Sequence, residues 1–332
     1  MSNRLNALTN WLQTHLDILA PELVPVTNDA SFRRYFRVRV NGISHIVMDA
    51  PPNKEDCTPF IDVAQRLQAS GLNAPRIIAS DLEQGFLLLT DLGSQLYLSV
   101  LDEARVESLY GDALEALIIM QTRTSRNGLP LYDHHLLHQE MNLFTNWLVG
   151  QHLNLFLSES QQARLETIFE LLSTSALAQP QVFVHRDYHS RNLMVVPHHN
   201  PGILDFQDAV QGPVTYDLVS LLRDCYIAWP REQVNRWAKY YYTRMQPLGS
   251  LNGISETQFL RGFDWMGIQR HLKASGIFAR LYHRDGKTNY LKDIPRTLNY
   301  IVEVGADYSE LAFLHQFVKQ QVLPACQAME TV

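Results

Sequence analysis

Hydrophobic residues recur along the first part of the chain with a spacing that changes from helical to strand-like. Leucines lie three to four positions apart between residues 4 and 19, which predicts an amphipathic helix. From Val24 onward polar and apolar residues alternate, and Asn41-Gly42 is a hairpin signal between two such stretches. The predicted elements are helices over 4–19 and 59–70, a turn followed by a strand within 28–40, and strands over 43–48, 76–79 and 85–90. With the stretch that begins at Val24, they indicate a five-stranded sheet.

Helical spacing dominates after Asp91-Leu92-Gly93, which marks a break in the pattern. Further helices are predicted over 102–122, 139–153 and 158–172, the last opened by a capping box at Ser158, and another begins at Thr215. A sheet followed by a mostly helical region predicts an α+β protein of two lobes. We expect the lobes to comprise residues 1–92 and 93–332, joined by a hinge near residue 91.

The stretch from Val182 to Asp217 interrupts the helices with short apolar runs and a polar loop. One apolar run ends before His185 and a second follows Asn192. Residues 197–202 then supply a turn rich in Pro, Asn and Gly. This order predicts a hairpin with polar residues gathered near one end.

Three polar residues of this stretch suit one kind of chemistry. Asn192 and Asp205 offer the hard oxygen ligands that Mg²⁺ prefers, and Asp187 is placed to accept a proton from an incoming hydroxyl. The spacing His-x-Asp-x-x-x-x-Asn, followed by a strand that ends in Asp, is typical of a kinase catalytic loop and its metal-binding aspartate. The sequence therefore predicts phosphotransfer on a protein-kinase-like two-lobed fold.

Size and charge narrow the class of partner. The 332 residues are 46% hydrophobic, and a net charge of −6 argues against a general nucleic-acid binder. No run of about 18 apolar residues is present, and three widely separated cysteines suit a reducing compartment. We therefore expect a cytoplasmic monomer that binds small molecules, and neither nucleic acid nor a membrane.

The amino-terminal hairpin is the expected place for the phosphates of a nucleotide, although its tip lacks Gly-x-Gly. Arg33 and Arg34 are either direct phosphate contacts or solvent-facing strand residues, and the sequence leaves both interpretations open. The candidate nucleotide-binding residues are Ser31, Phe32, Arg33, Arg34, Met48, Leu89 and Asp91.

Motifs on both sides of the predicted hairpin resemble the aminoglycoside phosphotransferase family of small-molecule kinases. They are His185 to Val196, Ile203 to Asp208, Gly212-Pro213 and Tyr216-Asp217-Leu218. The resemblance implies ATP and Mg²⁺ as cofactors, Asp187 as catalytic base, and Asn192 with Asp205 as Mg²⁺ ligands. It also implies that Asp217 is a buried carboxylate bracing the catalytic loop. From its position alone, Asp217 is a candidate N-cap of the helix that follows.

Met48 stands where kinases of this fold place a lysine that grips the α- and β-phosphates. The next helix offers Phe60 where the acid partner of that lysine is expected. One interpretation is a degenerate kinase that binds nucleotide without chemistry. In the other, Arg33, Arg34 and Lys54 meet the phosphate charge together with two Mg²⁺ ions. We expect an active enzyme, because the catalytic base and both metal ligands are present.

Residues 29–37 and 271–296 further resemble the bacterial sugar kinases of peptidoglycan recycling within that family. That resemblance implies transfer of the γ-phosphoryl group of ATP to the anomeric hydroxyl of N-acetylmuramate or N-acetylglucosamine. An aminoglycoside or other small-alcohol kinase is the alternative. A protein kinase is disfavoured because the chain between Asp205 and Asp217 is too short for a long activation loop.

Recognition of the acceptor is expected from the helical lobe. Cations of this lobe, including Arg270 and Lys273, favour a neutral or anionic acceptor over a polycationic antibiotic. The candidate substrate-binding residues are Glu140, Asn142, His189, Arg191, Arg223 and Asp224. An arginine is suited to bind the lactyl carboxylate of a muramic acid. The alternative for these residues is helix capping or ordinary surface polarity.

Overall fold

The computed structural model describes residues 3–16, 21–27 and 32–330. The chain divides into two compact units, Met1–Asp112 with Asn192–Asp208 and Ala113–Arg191 with Ala209–Val332. The sequence predicted a single division after residue 92. The chain instead enters the second unit after residue 112 and returns to the first for the segment that holds both predicted Mg²⁺ ligands.

The first unit is built on the five-stranded antiparallel sheet that the sequence predicted. Its elements are α1 (Asn3–Leu16), β1 (Val24–Thr27), β2 (Arg34–Val40), β3 (Ile43–Asp49), α2 (Thr58–Ala69), β4 (Ile77–Asp81) and β5 (Phe86–Thr90). The strands pair in the order β1-β2-β3-β5-β4. At the β2–β3 turn, Asn41 and Gly42 have φ angles of 51° and 81°, which these two residue types adopt at low cost.

The two faces of this sheet are both covered. Leu8 and Leu12 of α1 pack on one face, in a cluster that includes Val47 of β3. Because successive side chains of a strand alternate between faces, Met48 lies on the opposite face from Val47. Met48 is 0% exposed, so that second face is buried as well at this position.

The remaining elements follow in chain order. They are α3 (Tyr97–Val100), α4 (Val106–Arg123), α5 (His134–Leu143), α6 (Glu159–Leu177), β6 (Gln181–Val184), β7 (Leu193–Met194), β8 (Gly202–Ile203), β9 (Val210–Pro213), α7 (Tyr216–Leu222), α8 (Arg231–Met245), α9 (Glu256–Asp285), α10 (Ile294–Gly305), α11 (Ala312–Phe317) and α12 (Leu323–Glu330). A π-helical segment, Phe144–His152, continues α5, and a second, Val318–Val322, joins α11 to α12.

Strands β7 and β8 form the predicted hairpin, with Leu193 opposite Ile203. The hairpin is attached to the first unit through backbone pairs. Ile203 donates to the carbonyl of Asn73 at 2.8 Å, and Met194 bridges to Leu96. These pairs explain why the chain returns to the first unit at this point.

Helix α9 is the central element of the second unit. It packs against α5, α6, α7, α10 and the π-helical segment 144–152. At Gly276 the approach is closest, since an added Cβ would lie 2.2 Å from the carbonyl carbon of Leu143. A glycine is required there because the two backbones leave no room for a side chain.

Local sequence signals in the helical region predicted the start of one helix correctly and that of another wrongly. The capping box at Ser158 is present, as predicted. Helix α5 begins at His134 rather than residue 139, because the side chain of Asp133 caps it by accepting from the backbone N of Leu136. Within the described ranges, no helix combines the length and apolarity needed to cross a bilayer.

Candidate active site

Asn192 and Asp205 lie at the open end of the β7–β8 hairpin in the first unit. The backbone N of Leu204 donates to the carbonyl of Asn192 at 2.9 Å, which closes that end. Side-chain Nδ2 of Asn192 lies 3.4 Å from Oδ2 of Asp205. The hairpin pairing therefore brings the two predicted Mg²⁺ ligands together, as the sequence indicated.

The surroundings of Asp205 fit a divalent cation. Its backbone φ of 59° is in the left-handed region, which is uncommon for residues other than glycine and clusters at functional sites. Nε2 of Gln207 donates to its Oδ1 at 2.8 Å and orients the carboxylate. A carboxylate beside an amide supplies adjacent oxygen donors, and Mg²⁺ in phosphotransfer sites takes few protein ligands because phosphate and water complete its shell. The donor set therefore fits Mg²⁺.

Arg33 and Arg34 are both paired to carboxylates of the same unit. Arg34 donates through Nε to Asp49 at 3.0 Å, and Arg4 of α1 donates to the other oxygen of Asp49 at 2.6 Å. Arg33 lies 3.0 Å from Glu55. Arg34 is nevertheless exposed on β2, as the solvent-facing interpretation predicted, whereas the side chain of Arg33 is largely buried. A role in phosphate binding stays a prediction for both residues.

Other nucleotide candidates occupy different environments. Phe32 is 62% exposed, and Nζ of Lys54 lies 5.4 Å from its ring centroid. Leu89 is buried in β5. Ser31 lies outside the described residues.

The place of the missing lysine and its acid partner is apolar. Met48 and Phe60 are both buried, and the Phe60 ring packs on Phe206 with centroids 4.8 Å apart. Phe206 directly follows Asp205, so an aromatic contact supports the segment that contains this predicted Mg²⁺ ligand.

Asp91 forms a bidentate ion pair with Arg37 of β2. The distances are 2.6 and 3.1 Å, and Ser44 donates to the same carboxylate at 2.5 Å. Burial would raise the pKa of Asp91, but these hydrogen bonds outweigh it and hold the pKa below its ordinary value. The pair fixes the segment after β5 to the sheet.

Two buried carboxylates hold the loop that carries Asp187 in the second unit. Asp217 accepts hydrogen bonds from the backbone N of His185 at 2.7 Å and of Arg186 at 3.0 Å. Asp224 accepts from Ser190 on the other side of Asp187. Asp217 lies in the first turn of α7 after Thr215, so its predicted N-cap role is wrong. The bracing role implied by the family resemblance is confirmed by these hydrogen bonds.

A small cavity of about 80 Å³ opens beside Asp187 within the second unit. Its lining combines charged, aromatic and apolar side chains, which are Asp187, His189, Tyr216, Cys225, Tyr226, Arg270, Lys273, Ala274, Ile277 and Phe278. An acid, two cations and aromatic rings around one space suit a polar acceptor with an apolar face.

Cations determine the charge state of Asp187. Burial would raise the pKa of its carboxyl, but nearby cations, with Lys273 the strongest, lower the pKa below its ordinary value. Nε2 of His189 lies 4.0 Å from Oδ1 of Asp187. Burial lowers the pKa of His189, so its ring is neutral at neutral pH. Asp187 is therefore a carboxylate that can accept a hydrogen bond from a hydroxyl group.

Glu140 lies in a buried ionic network. Its Oε1 is 2.5 Å from Arg186 and 2.9 Å from Nζ of Lys273, and Tyr132 donates its hydroxyl to Oε2. Burial would raise the pKa of Glu140, but the two cations hold it below the ordinary value. Because Arg186 adjoins Asp187, this network positions the loop. Substrate binding by Glu140 itself stays a prediction.

The other acceptor candidates divide into two groups. His189 lines the cavity, and Arg191 stacks on Tyr226 with its guanidinium 3.6 Å from the ring centroid. Asn142 instead bonds to His138 on α5, and Arg223 pairs with Asp264 at 2.5 Å. Asn142 and Arg223 are not among the cavity residues.

Several cavity residues were not predicted as site residues. Cys225 and Phe278 have ordinary core patterns, and nothing in their spacing distinguishes them, whereas Tyr216 was noted only as part of a family motif. Arg270 and Lys273 were recognised only as cations of the helical part. The signal that could have identified Arg270 and Lys273 is their spacing, since two cations three residues apart share one face of a helix that is otherwise buried there.

Residues 22–248 match the phosphotransferase enzyme family. A relative from Pseudomonas aeruginosa, named N-acetylmuramate/N-acetylglucosamine kinase, is 46% identical over 95% of this chain and 96% of its own length. Proteins of the same name are 45% identical in Pseudomonas putida, over 96% of both chains, and 40% identical in Neisseria meningitidis, over 95% of both.

Solved structures share the fold at low sequence identity. A choline kinase from Streptococcus pneumoniae superposes with a TM-score of 0.62 at 13% identity, covering 92% of this chain and 100% of that one. An ADP-bound aminoglycoside phosphotransferase gives 0.60 at 16% identity, covering 89% and 97%. The predicted kinase-like fold is thus confirmed. The chain belongs to the phosphotransferase enzyme family, as its catalytic-loop motifs predicted.

Proposed function

We propose that this protein is an ATP-dependent sugar kinase that phosphorylates the anomeric hydroxyl of N-acetylmuramate or N-acetylglucosamine. The observation that carries the proposal is the braced loop at Asp187 beside a small cavity lined by Arg270 and Lys273. The names of relatives that match nearly the whole chain support the choice of acceptor.

The residues of the loop account for orientation of the acceptor. With the hydroxyl held beside it, Asp187 would accept the hydrogen bond and take the proton as the oxygen attacks the γ-phosphorus of ATP, whose bond to the bridging oxygen breaks to release ADP. An anomeric hydroxyl is more acidic than an ordinary alcohol, so a carboxylate with a lowered pKa is a sufficient acceptor. Glu140 keeps Arg186, and with it the neighbouring Asp187, in place.

ATP with Mg²⁺, when bound, supplies the phosphoryl group and neutralises its charge. Asn192 and Asp205 would hold the metal, since their donor atoms are adjacent and Asp205 is oriented by Gln207. The cytoplasmic location and the monomeric state stay predictions.

The charge of the cavity supports a neutral or acidic acceptor. Two cations near Asp187 would repel the ammonium groups of an aminoglycoside or choline. A hydroxylated sugar with an acetyl group matches the mixture of polar and aromatic side chains better.

A coupled ADP-release assay over several acceptors tests the proposal. We expect turnover with N-acetylmuramate and N-acetylglucosamine, and little with other hexoses, choline or aminoglycosides. The methyl glycoside of N-acetylglucosamine, whose anomeric oxygen is blocked, should be inert. Turnover of that glycoside would exclude the anomeric position, and activity only on an aminoglycoside would overturn the choice of acceptor.

A variant separates chemistry from nucleotide binding. Asp187→Asn should bind ATP as the wild type does but lower kcat by about 10²-fold or more, because the acceptor for the proton is lost. Asp133→Asn, which keeps an oxygen at the N-cap of α5, is the matched control. ATP binding without ADP release in the wild type would instead indicate an inactive nucleotide-binding protein.

A further inference from the structure

Arg270 is a buried cation without a carboxylate partner. The residue is 5% exposed, and its Nη1 lies 3.6 Å from Sγ of Cys225, a weak acceptor. Its Nε is buried with no hydrogen-bond partner among the described residues. A guanidinium in this condition is costly, because burial removes hydration that neither a thiol nor an aromatic ring replaces.

The other buried cations nearby each pair with a carboxylate. Lys273, one turn further along α9, lies 2.9 Å from Glu140 and donates to the hydroxyl of Tyr216 at 2.8 Å. Arg223 pairs with Asp264. Within the described part of the chain, no ion pair joins Arg270 to a carboxylate. Burial would lower the pKa of Arg270, whereas Asp187 and Asp224 raise it through space, but neither is hydrogen-bonded to it. The lack of a carboxylate hydrogen-bonded to its guanidinium therefore distinguishes Arg270 from those other cations.

Arg270 lines the same cavity as Asp187. A ligand that presents a hydroxyl to Asp187 would meet Arg270 in the same small space. The guanidinium offers planar, paired donors that match a carboxylate better than a neutral oxygen. The carboxylate that would accept hydrogen bonds from Arg270 is then part of the ligand.

We infer that Arg270 is a specificity-determining residue that binds the carboxylate of an acidic acceptor. This inference rests on the proposed function. Of the two sugars in the relatives' name, N-acetylmuramate carries a carboxylate on its lactyl ether and N-acetylglucosamine carries none. Arg270 would therefore favour the acidic sugar, whereas Asp187 acts on both.

The experiment compares kcat/KM for the two sugars in the wild type and in Arg270→Met. The ratio of N-acetylmuramate to N-acetylglucosamine should fall by about 10-fold or more, because a charged hydrogen bond is lost for only one sugar. In Arg270→Lys this ratio should lie between those of the wild type and of Arg270→Met, because the charge remains but the paired donors are lost. Arg284→Met, at an exposed arginine of the same helix that pairs with Asp285, should leave the ratio unchanged.

A second measurement needs no variant. The wild type should use the neutral methyl ester of N-acetylmuramate about 10-fold or more less efficiently than the acid. Equal use of ester and acid would overturn the inference. It would also be overturned if Arg270→Met lowered kcat/KM for both sugars by the same factor, since that result indicates a role at the transferring phosphoryl group. Failure of the wild type on both sugars would instead overturn the proposed function.

Discussion

Asp224 accepts two hydrogen bonds from Ser190, one from the backbone N at 2.9 Å and one from Oγ at 2.5 Å. Asp217, seven residues before Asp224, holds the other side of the loop by accepting hydrogen bonds from the backbone of His185 and Arg186. Asp187 therefore lies between two fixed points, and both fixed points belong to α7 or to its end.

Substitutions at this contact should affect turnover more than nucleotide binding. Asp224→Asn should lower kcat by about 10-fold with little change in the KM for ATP, because a charged acceptor of two bonds becomes a neutral one. Ser190→Ala removes only the hydrogen bond from Oγ and should lower kcat a few-fold. Steady-state kinetics test both. If Asp224→Asn kept the wild-type kcat, or if its main effect were on the KM for ATP, the positioning role would be wrong.

Restoring a lysine at position 48 should damage the protein. Met48 is 0% exposed and lies on a buried sheet face, and Phe60 offers no acid, so Met48→Lys buries an unpaired ammonium. We expect the free energy of unfolding to fall by about 3 kcal/mol or more. Met48→Leu, which keeps an apolar side chain, should cost less than about 1.5 kcal/mol. Urea unfolding measures both, and a stable Met48→Lys protein with a lower KM for ATP would contradict this account.

Two glycine-to-alanine substitutions should change the free energy of unfolding in opposite directions. A Cβ at Gly276 would lie 2.2 Å from the carbonyl carbon of Leu143, so Gly276→Ala must separate α9 from the end of α5 and should cost about 3 kcal/mol. At Gly111 in α4 nothing lies within 4 Å of an added Cβ. Gly111→Ala should therefore stabilise by about 0.5–1 kcal/mol through helix propensity. Thermal unfolding of both variants tests the close approach, and equal melting temperatures would argue against it.

His271 should make stability depend on pH. It is 1% exposed and stacks on Tyr300, and Nε2 lies 2.9 Å from the carbonyl oxygen of Arg223. Burial lowers the pKa of His271 from 6.5 to about 3. Between these values the unfolded chain binds a proton that the folded protein does not, so stability falls as pH falls through this window. The slope is at most about 1.4 kcal/mol per pH unit from this residue.

His271→Gln isolates that contribution. Glutamine keeps a donor for the carbonyl of Arg223 but does not titrate, so the variant should lose less stability than the wild type between pH 7 and pH 5. Other buried groups contribute equally to both proteins and cancel in the difference. Urea unfolding at several pH values measures it, and parallel curves would show that His271 is not responsible.

Local sequence patterns were sufficient to predict the elements that carry the candidate reacting groups. The alternation of residues predicted the sheet, and two apolar runs around Pro, Asn and Gly predicted the β7–β8 hairpin that joins Asn192 to Asp205. These succeed because strand alternation and turn chemistry act over a few residues. The His-x-Asp motif made Asp187 a candidate for the same reason, since its loop is continuous in sequence.

The sequence by itself determined which residues are candidates for the chemistry, and the tertiary structure decided what surrounds them. The sequence did not indicate that Arg34 pairs with Asp49, or that Glu140 lies between Arg186 and Lys273, although the binding roles predicted for Arg34 and Glu140 stay predictions. The periodicity of an element states which face is buried but not which charge on a distant element it meets. Whether a buried cation such as Arg270 has a counter-ion depends on that meeting, and so does its availability to a ligand.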